Sequence, residues 1–226
     1  MLLSQKVELS KLIIEFAITK YPKIFAAVSF GKDSRVLIDL ILPLKKNFQF
    51  IFIDTGYEFP ETLKFAKKLQ AETKMNLKII KPTKDDIKQI NKEYKGKFIK
   101  DDQYKCCAMK IPAIERILPK YNAWITGLRR DETKYREGIK IIEKGKIVKI
   151  NPIAFWTKND IWKYIKTNKL SYHPLYDKGY TSLGCQPCTT KGKIREGGGR
   201  QGQFERAGRF VGTKNQSQEC GLHTRF

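Results

Sequence analysis

The stretch Ile24-Phe25-Ala26-Ala27-Val28-Ser29-Phe30-Gly31-Lys32-Asp33-Ser34 decides the fold of this chain. Its apolar first half, residues 24–29, reads as a buried strand. From residue 34 to about 44 the spacing turns helical, with Val36, Leu37, Leu40 and Ile41 on one stripe. Between the two lies a short loop, Ser29, Phe30, Gly31, Lys32, Asp33 and Ser34, at a predicted helix start. Backbone N–H groups and the positive helix end can hold phosphate or sulfate oxygens there. The two glycines of a Walker A loop are missing at the required spacing, and an ordinary strand-to-helix turn shares the local pattern.

The same alternation continues outward. Apolar runs bounded by turn residues occupy 49–54, 77–81, 122–126 and 146–151, with helical periodicity between them. A helix over 60–71 opens with Pro60, and Thr157 followed by Asp160 makes a weakened capping box for a helix through about residue 169. This pattern predicts an α/β fold with a doubly wound parallel sheet, helices on both faces, and ligand groups at the carboxyl ends of the strands. The α/β core is expected over residues 1–170. Residues 171–226 are rich in glycine, lysine and arginine around Gly197-Gly198-Gly199 and are expected to form a loop-rich, mobile carboxyl-terminal segment.

A chain of 226 residues, 41% hydrophobic and 30% charged, suits one sizeable core. The net charge of +22 permits an acidic partner, but the lysines are scattered through every segment and no zinc-finger, RRM or KH signature is present. Nucleic acid is therefore not the expected partner, whereas a nucleotide carrying phosphate groups would feel the same field. The first residues lack the features of a secretory signal and no segment is long and apolar enough for a bilayer span, so a soluble, cytoplasmic protein is expected, with no membrane partner.

Five cysteines fall as two pairs, Cys106-Cys107 and Cys185-Gln186-Pro187-Cys188, and a single, Cys220. In a reducing compartment such a set suggests a metal site or catalysis before disulfides. Four thiolates complete a ligand set for zinc or for an iron–sulfur cluster, and the fifth is left to act as a nucleophile. Adjacent ligands at Cys106 and Cys107 would strain the backbone around a single zinc ion.

Residues 29–34 resemble the phosphate loop of the adenine-nucleotide alpha-hydrolase group, which includes ATP pyrophosphatases and sulfonucleotide reductases. Asp54-Thr55-Gly56 is similar to the group's second nucleotide motif, although Asp54 alone reads as a turn former. Ile125-Thr126-Gly127-Leu128-Arg129-Arg130-Asp131-Glu132 resembles its arginine loop, and a guanidinium fork suits phosphate or sulfate. Arg206-Ala207-Gly208-Arg209-Phe210 resembles a further arginine block. Glu219-Cys220-Gly221-Leu222-His223 matches the signature tail of adenylyl sulfate and phosphoadenylyl sulfate reductases. On these residues the chain is identified as a member of the sulfonucleotide reductase family, of the iron–sulfur, assimilatory adenylyl sulfate type.

The resemblance implies that Cys220 attacks the sulfur of adenylyl sulfate, expels the nucleotide monophosphate and becomes S-sulfocysteine, from which thioredoxin or a similar dithiol releases sulfite. Arg206, Arg209 and His223 would then lower the thiol pKa and stabilise the leaving phosphate. Ser29, Phe30, Gly31, Lys32, Asp33, Ser34, Asp54, Thr55, Gly56, Lys110, Gly127, Arg129 and Arg130 would hold the substrate. Cys106, Cys107, Cys185 and Cys188 would ligate a [4Fe–4S] cluster. Two departures bear on substrate preference. The Gly-Lys-Asp-Ser loop is closer to pyrophosphatases, and a single Lys110, followed by Ile111, stands where a doubled basic position is expected. The rivals are reduction of the 3′-phosphorylated nucleotide, ATP-dependent sulfur transfer to nucleic acid, and a non-catalytic basic binding module. The sequence leaves a homo-oligomer open.

Overall fold

Side chains along the central strands alternate between two apolar clusters, and this alternation sets the architecture. In the computed structural model, which describes residues 1–93, 95, 108–191, 205–206, 208–211 and 219, the order of elements is α1 (Leu3–Lys20), β1 (Ile24–Ala27), α2 (Lys32–Ile41), β2 (Gln49–Ile53), α3 (Pro60–Thr73), β3 (Asn76–Ile80), α4 (Lys84–Glu93), α5 (Lys110–Glu115), β4 (Ala123–Ile125), β5 (Ile142–Glu143), β6 (Val148–Ile150) and α6 (Lys158–Thr167). Ile24 and Ala26 of β1, Phe50 and Phe52 of β2, and Ala123 and Ile125 of β4 face one cluster with α1, α2, α3 and α6. Phe25, Ile51, Ile53 and Trp124 face the other, which Ala113 and Ile114 of α5 cover. A sheet buried on both faces needs continuously apolar strands, which is why β1, β2 and β4 stand out in the sequence.

The sheet order is β3-β2-β1-β4-β6-β5. All neighbours run parallel except β5, which pairs antiparallel with β6 and closes that edge. This is the expected α/β class with its mostly parallel sheet. Thr157 caps α6 as the sequence predicts: its Oγ1 accepts from Asp160 N at 3.2 Å, and Asp160 Oδ2 accepts from Thr157 N at 2.7 Å. The sequence reading does not resolve α1, α4, α5 or the two-residue β5. In α1, Ser10 occupies a core position because its hydroxyl donates to Pro152 O at 2.8 Å and accepts from Trp156 Nε1 at 3.0 Å. Beyond α6 the described residues form short 3-10 turns at Pro174–Tyr176 and Gln186–Cys188 and a bridge from Thr189 to Arg209. Gly197, Gly198 and Gly199, with the mobility expected there, lie outside the described residues.

Candidate active site

The sheet order reverses between β1 and β4, with β2 on one side and β6 on the other, so the loops leaving β1 and β4 part at their carboxyl ends. An open parallel sheet places its ligand crevice at such a switch point. A cleft lies there. The β1–α2 loop (Ser29, Gly31, Asp33, Ser34) and the β4 loop (Gly127, Leu128) form two walls, and Glu132 and Arg136 stand beyond the latter. Tyr176, Leu183, Gly184, Cys185, Lys110, Arg206 and Arg209 close the rest. The loops nearly touch: a Cβ on Gly127 would lie 3.5 Å from the Asp33 carbonyl carbon.

The β1–α2 loop is held in a demanding shape. Phe30 has φ +60, a left-handed conformation that a bulky residue rarely adopts. Its ring is fully buried, edge-on to Phe52 at 5.1 Å and to Phe65 at 6.5 Å, so core packing holds the strained backbone. Ser29 N donates to Ser34 Oγ at 3.0 Å, and Lys32 N donates to Tyr176 Oη at 3.0 Å. The loop thus delivers the start of α2 to the cleft while the Phe30 side chain serves the core.

Charge is concentrated where the loops meet. Lys32 is buried, with Nζ 2.8 Å from Asp33 Oδ2 and paired to Glu205. Arg129 is completely buried; its Nε donates to Asp33 Oδ1 at 2.6 Å, and its other nitrogens reach Asp131 and Glu205. Burial alone would raise the Asp33 carboxyl, but Arg129 and Lys32 outweigh it and hold it well below the usual carboxylate range. Arg136 pairs with Glu132 and with Glu219. Burial, then repulsion from Arg136 and Arg209, push the Arg206 guanidinium down to about 10 despite Glu219. Crowded buried cations of this kind favour an anion among them.

A second group adjoins the cleft. Cys185 and Cys188 are buried thiols on one tight turn, where Cys188 N donates to Cys185 O at 3.2 Å. Cys185 Sγ lies 3.5 Å from Glu58 Oε1 and 3.8 Å from Thr55 Oγ1, and Arg209 Nη2 lies 3.5 Å from Cys188 Sγ. Lys110 Nζ meets the same Glu58 oxygen at 3.2 Å. Burial pushes the Glu58 carboxyl up to about 7, against the pull of Lys110. The Arg209 guanidinium packs flat against Gly184, where any Cβ would collide with it, and Nη1 donates to Leu183 O at 2.9 Å.

The structure brings together Ser29, Gly31, Asp33, Ser34, Lys110, Gly127, Arg206 and Arg209 around the cleft, with Lys32 and Arg129 buried behind it. It turns others elsewhere. Arg130 is exposed, with Nε donating to Ile139 O at 2.7 Å. Asp54 makes a turn, its Oδ1 accepting from Gly56 N at 2.9 Å, and Thr55 faces the thiols. Gly56 has φ +81, the left-handed region suited to glycine. Cys106, Cys107, Cys220 and His223 lie outside the described residues. Sequence reasoning assigned no role to Glu58, Arg136, Tyr176, Gly184 or Glu205. Arg136, four residues after Glu132, carried a weak signal in that spacing; the others come from segments that only the fold assembles.

A mostly parallel α/β sheet with a cation-lined cleft at its switch point is that of a nucleotide-binding protein of the adenine-nucleotide alpha-hydrolase-like fold. A solved FMN adenylyltransferase from Candida glabrata shares that fold, with a TM-score of 0.65, 17% identity, and 87% of this chain and 69% of the other covered. Residues 23–191 match the phosphoadenosine phosphosulfate reductase domain, and the chain belongs to that family. A relative named adenosine 5′-phosphosulfate reductase, from Bacillus pumilus, is 38% identical over 202 residues, covering 87% of this chain and 82% of its own length. The structure of a phosphoadenylyl-sulfate reductase from Candida auris, a phosphate complex, matches with a TM-score of 0.66 at 26% identity, covering 80% of this chain and 90% of the other. Among the described residues no helix is long and apolar enough to cross a membrane.

Proposed function

We propose that this chain reduces adenylyl sulfate to sulfite and AMP, using a dithiol such as thioredoxin as electron donor and Cys220 as the nucleophile. The observation that carries the reading is the cation-lined cleft at the switch point, in a chain whose relatives are named adenosine 5′-phosphosulfate reductase. The β1–α2 loop and the start of α2 would take the nucleotide phosphate, and Arg206 and Arg209 would face the sulfate. The Cys220 thiolate forms a bond to sulfur as the S–O bond to AMP breaks, and AMP leaves with the bridging oxygen. One thiolate of the dithiol then attacks the Cys220 sulfur and expels sulfite. Its partner thiol resolves the mixed disulfide, so the dithiol supplies both electrons and Cys220 is regenerated.

Cys185 and Cys188 fit a cluster site: both are buried on one turn, and Arg209 and Lys110 supply the positive charge that favours thiolates. With Cys106 and Cys107 they would hold a [4Fe–4S] cluster, which when bound would tie these segments together and place a compact charge beside the cleft. Lys110, three residues after Cys107, already reaches Glu58, the carboxylate that Cys185 meets, and this supports bringing the two pairs together. We read residues 1–170 as the nucleotide-binding core, residues 171–226 as the segment carrying the second thiol pair and the nucleophile, and the cytoplasm as the compartment.

The test is sulfite release by anaerobically purified protein with reduced thioredoxin and each sulfonucleotide in turn. Sulfite from adenylyl sulfate, and a sulfonate trapped on Cys220 when thiol is withheld, are the expected results. Turnover with the 3′-phosphorylated form alone would reassign the substrate. Normal turnover by Cys220→Ser would remove the nucleophile from Cys220.

A further inference from the structure

The segment from Tyr176 to Cys185 lends Tyr176, Ser182, Leu183, Gly184 and Cys185 to the cleft. At its start Tyr176 Oη accepts from Lys32 N at 3.0 Å, where α2 begins. Towards its end Arg209 Nη1 donates to Leu183 O at 2.9 Å, and the same guanidinium lies against Gly184. The stretch is tied down on both sides of Ser182: the Tyr180 ring meets Phe59 edge-on at 5.6 Å, and Gln186 N donates to Tyr57 O at 2.8 Å. Ser182 itself is only 6% exposed, yet among the described residues its hydroxyl makes no hydrogen bond. Unlike the neighbouring Thr181 Oγ1, that oxygen is not enclosed, and the residue lines the cleft. The other serine hydroxyls of the cleft are already engaged, Ser29 Oγ lying 3.2 Å from Ser34 Oγ. A buried hydroxyl is nearly always paired, so one left open towards a cleft marks a place for a ligand atom.

We propose that the Ser182 hydroxyl donates to a sulfate oxygen of bound adenylyl sulfate and so separates the sulfonucleotide from AMP. The segment supplies the direction. Tyr176 stands at the start of α2, the end that takes the nucleotide phosphate, whereas Ser182 comes just before Leu183 and Gly184, on which Arg209 rests. Arg209 is the cation that faces the sulfate in the reading above, and the proposal rests on that reading. The cations of the cleft cannot make the distinction well, because adenylyl sulfate and AMP both carry about two negative charges near neutral pH. A neutral hydroxyl adds no charge for AMP to exploit. It strengthens binding only when a sulfate oxygen is there to accept, and a hydrogen bond to a charged acceptor is among the stronger ones. Pinned at both ends, the segment presents this donor already oriented, so little freedom is lost when the ligand arrives.

The test uses the full, anaerobically purified chain carrying Cys220→Ser, so that adenylyl sulfate binds without turning over, with and without Ser182→Ala. Calorimetric titration with adenylyl sulfate and with AMP gives the two affinities, and calorimetry of the free chain gives Tm. Ser182→Ala should weaken adenylyl sulfate at least ~10-fold, the loss of one hydrogen bond to a charged group, while the Kd for AMP stays within about twofold. The Tm of the free chain should stay within about 3 °C, because the hydroxyl has no protein partner to lose. Unchanged affinity for adenylyl sulfate, an equal loss for both nucleotides, or a larger fall in Tm would overturn the assignment, the last two by showing that Ser182 shapes the protein and does not contact the sulfate. Failure of the functional reading would look different: the chain with Ser182 intact would itself fail to bind adenylyl sulfate, and the assignment would fall with it.

Discussion

Replacing Arg129 by methionine removes a fully buried guanidinium from three carboxylates at once. Asp33 keeps Lys32 at 2.8 Å, Glu205 keeps Lys32, and Asp131 loses the contact outright. Breaking one partner out of a buried ion pair costs about 3–5 kcal/mol, because the charge left behind stays desolvated. Lys32 compensates in part, so the lower half of that range, about 3–4 kcal/mol, is expected. For a domain of this size each kcal/mol corresponds to about 2–4 °C in Tm, which predicts a fall of about 6–16 °C by calorimetry at pH 7. The acid limb supplies a second readout. Asp33 is depressed in the folded protein, so its stabilisation is present above its unfolded pKa and is lost as pH falls towards the folded value. Without Arg129 the burial that raises Asp33 is opposed by Lys32 alone, so its folded pKa moves back up towards the unfolded value and the variant should lose less stability than wild type as pH falls below that value. Adding Glu205→Gln should recover part of the stability, because Lys32 alone then no longer faces two buried carboxylates, Asp33 and Glu205. A Tm within about 3 °C of wild type would refute this account of Arg129 as the centre of a buried ionic network.

Three further outcomes are expected. His173 is buried with Nδ1 accepting from Leu175 N at 3.2 Å and Nε2 2.9 Å from Thr62 Oγ1, and burial pushes its pKa down to about 4. The unfolded chain takes up the proton first, so this stability is present above about pH 6.5 and lost as pH falls towards 4; allowing for partial screening, urea titrations should show a loss on the order of 2 kcal/mol that His173→Gln lacks. Gly184→Ala should drive the Arg209 guanidinium off Leu183 O and Cys188 Sγ. Sulfite release should then fall at least ~10-fold, with a Tm change of only a few degrees, and wild-type turnover would contradict the role given to Arg209. Tyr176→Phe removes the acceptor for Lys32 N and should weaken AMP binding by about 1–2 kcal/mol in calorimetric titration; unaltered affinity would mean that the loop keeps its shape without it.

Much of the fold was legible because β1, β2 and β4 are buried on both faces and so read as unbroken apolar runs, while Thr157 and Asp160 announce the start of α6. α1 was not, because its packed side includes Ser10, Ile14 and Ala17 while Leu12 and Phe16 are exposed, which blurs the helical stripe. At the site, the residues contiguous in the chain, 29–34 and 127–129, could be found by motif. Glu58, Tyr176 and Glu205 could not, because their partners Cys185, Lys32 and Arg129 lie 76–173 residues away and only the folded sheet brings them together. Arg130 shows the converse: two adjacent arginines look equivalent in sequence, but the 3-10 turn at Arg130–Glu132 sends one inward and the other to solvent.

The left-handed Phe30, held by Phe52 and Phe65, makes the β1–α2 loop, proposed above to take the nucleotide phosphate, a rigid mould. A ligand meeting such a loop gives up its own freedom but need not freeze the protein's, so the entropy of ordering the backbone is settled during folding and is absent from the binding step. Glycine at position 30 would relax the backbone strain and yet lower affinity, because a loop free to sample both signs of φ would have to be ordered anew each time a nucleotide arrives.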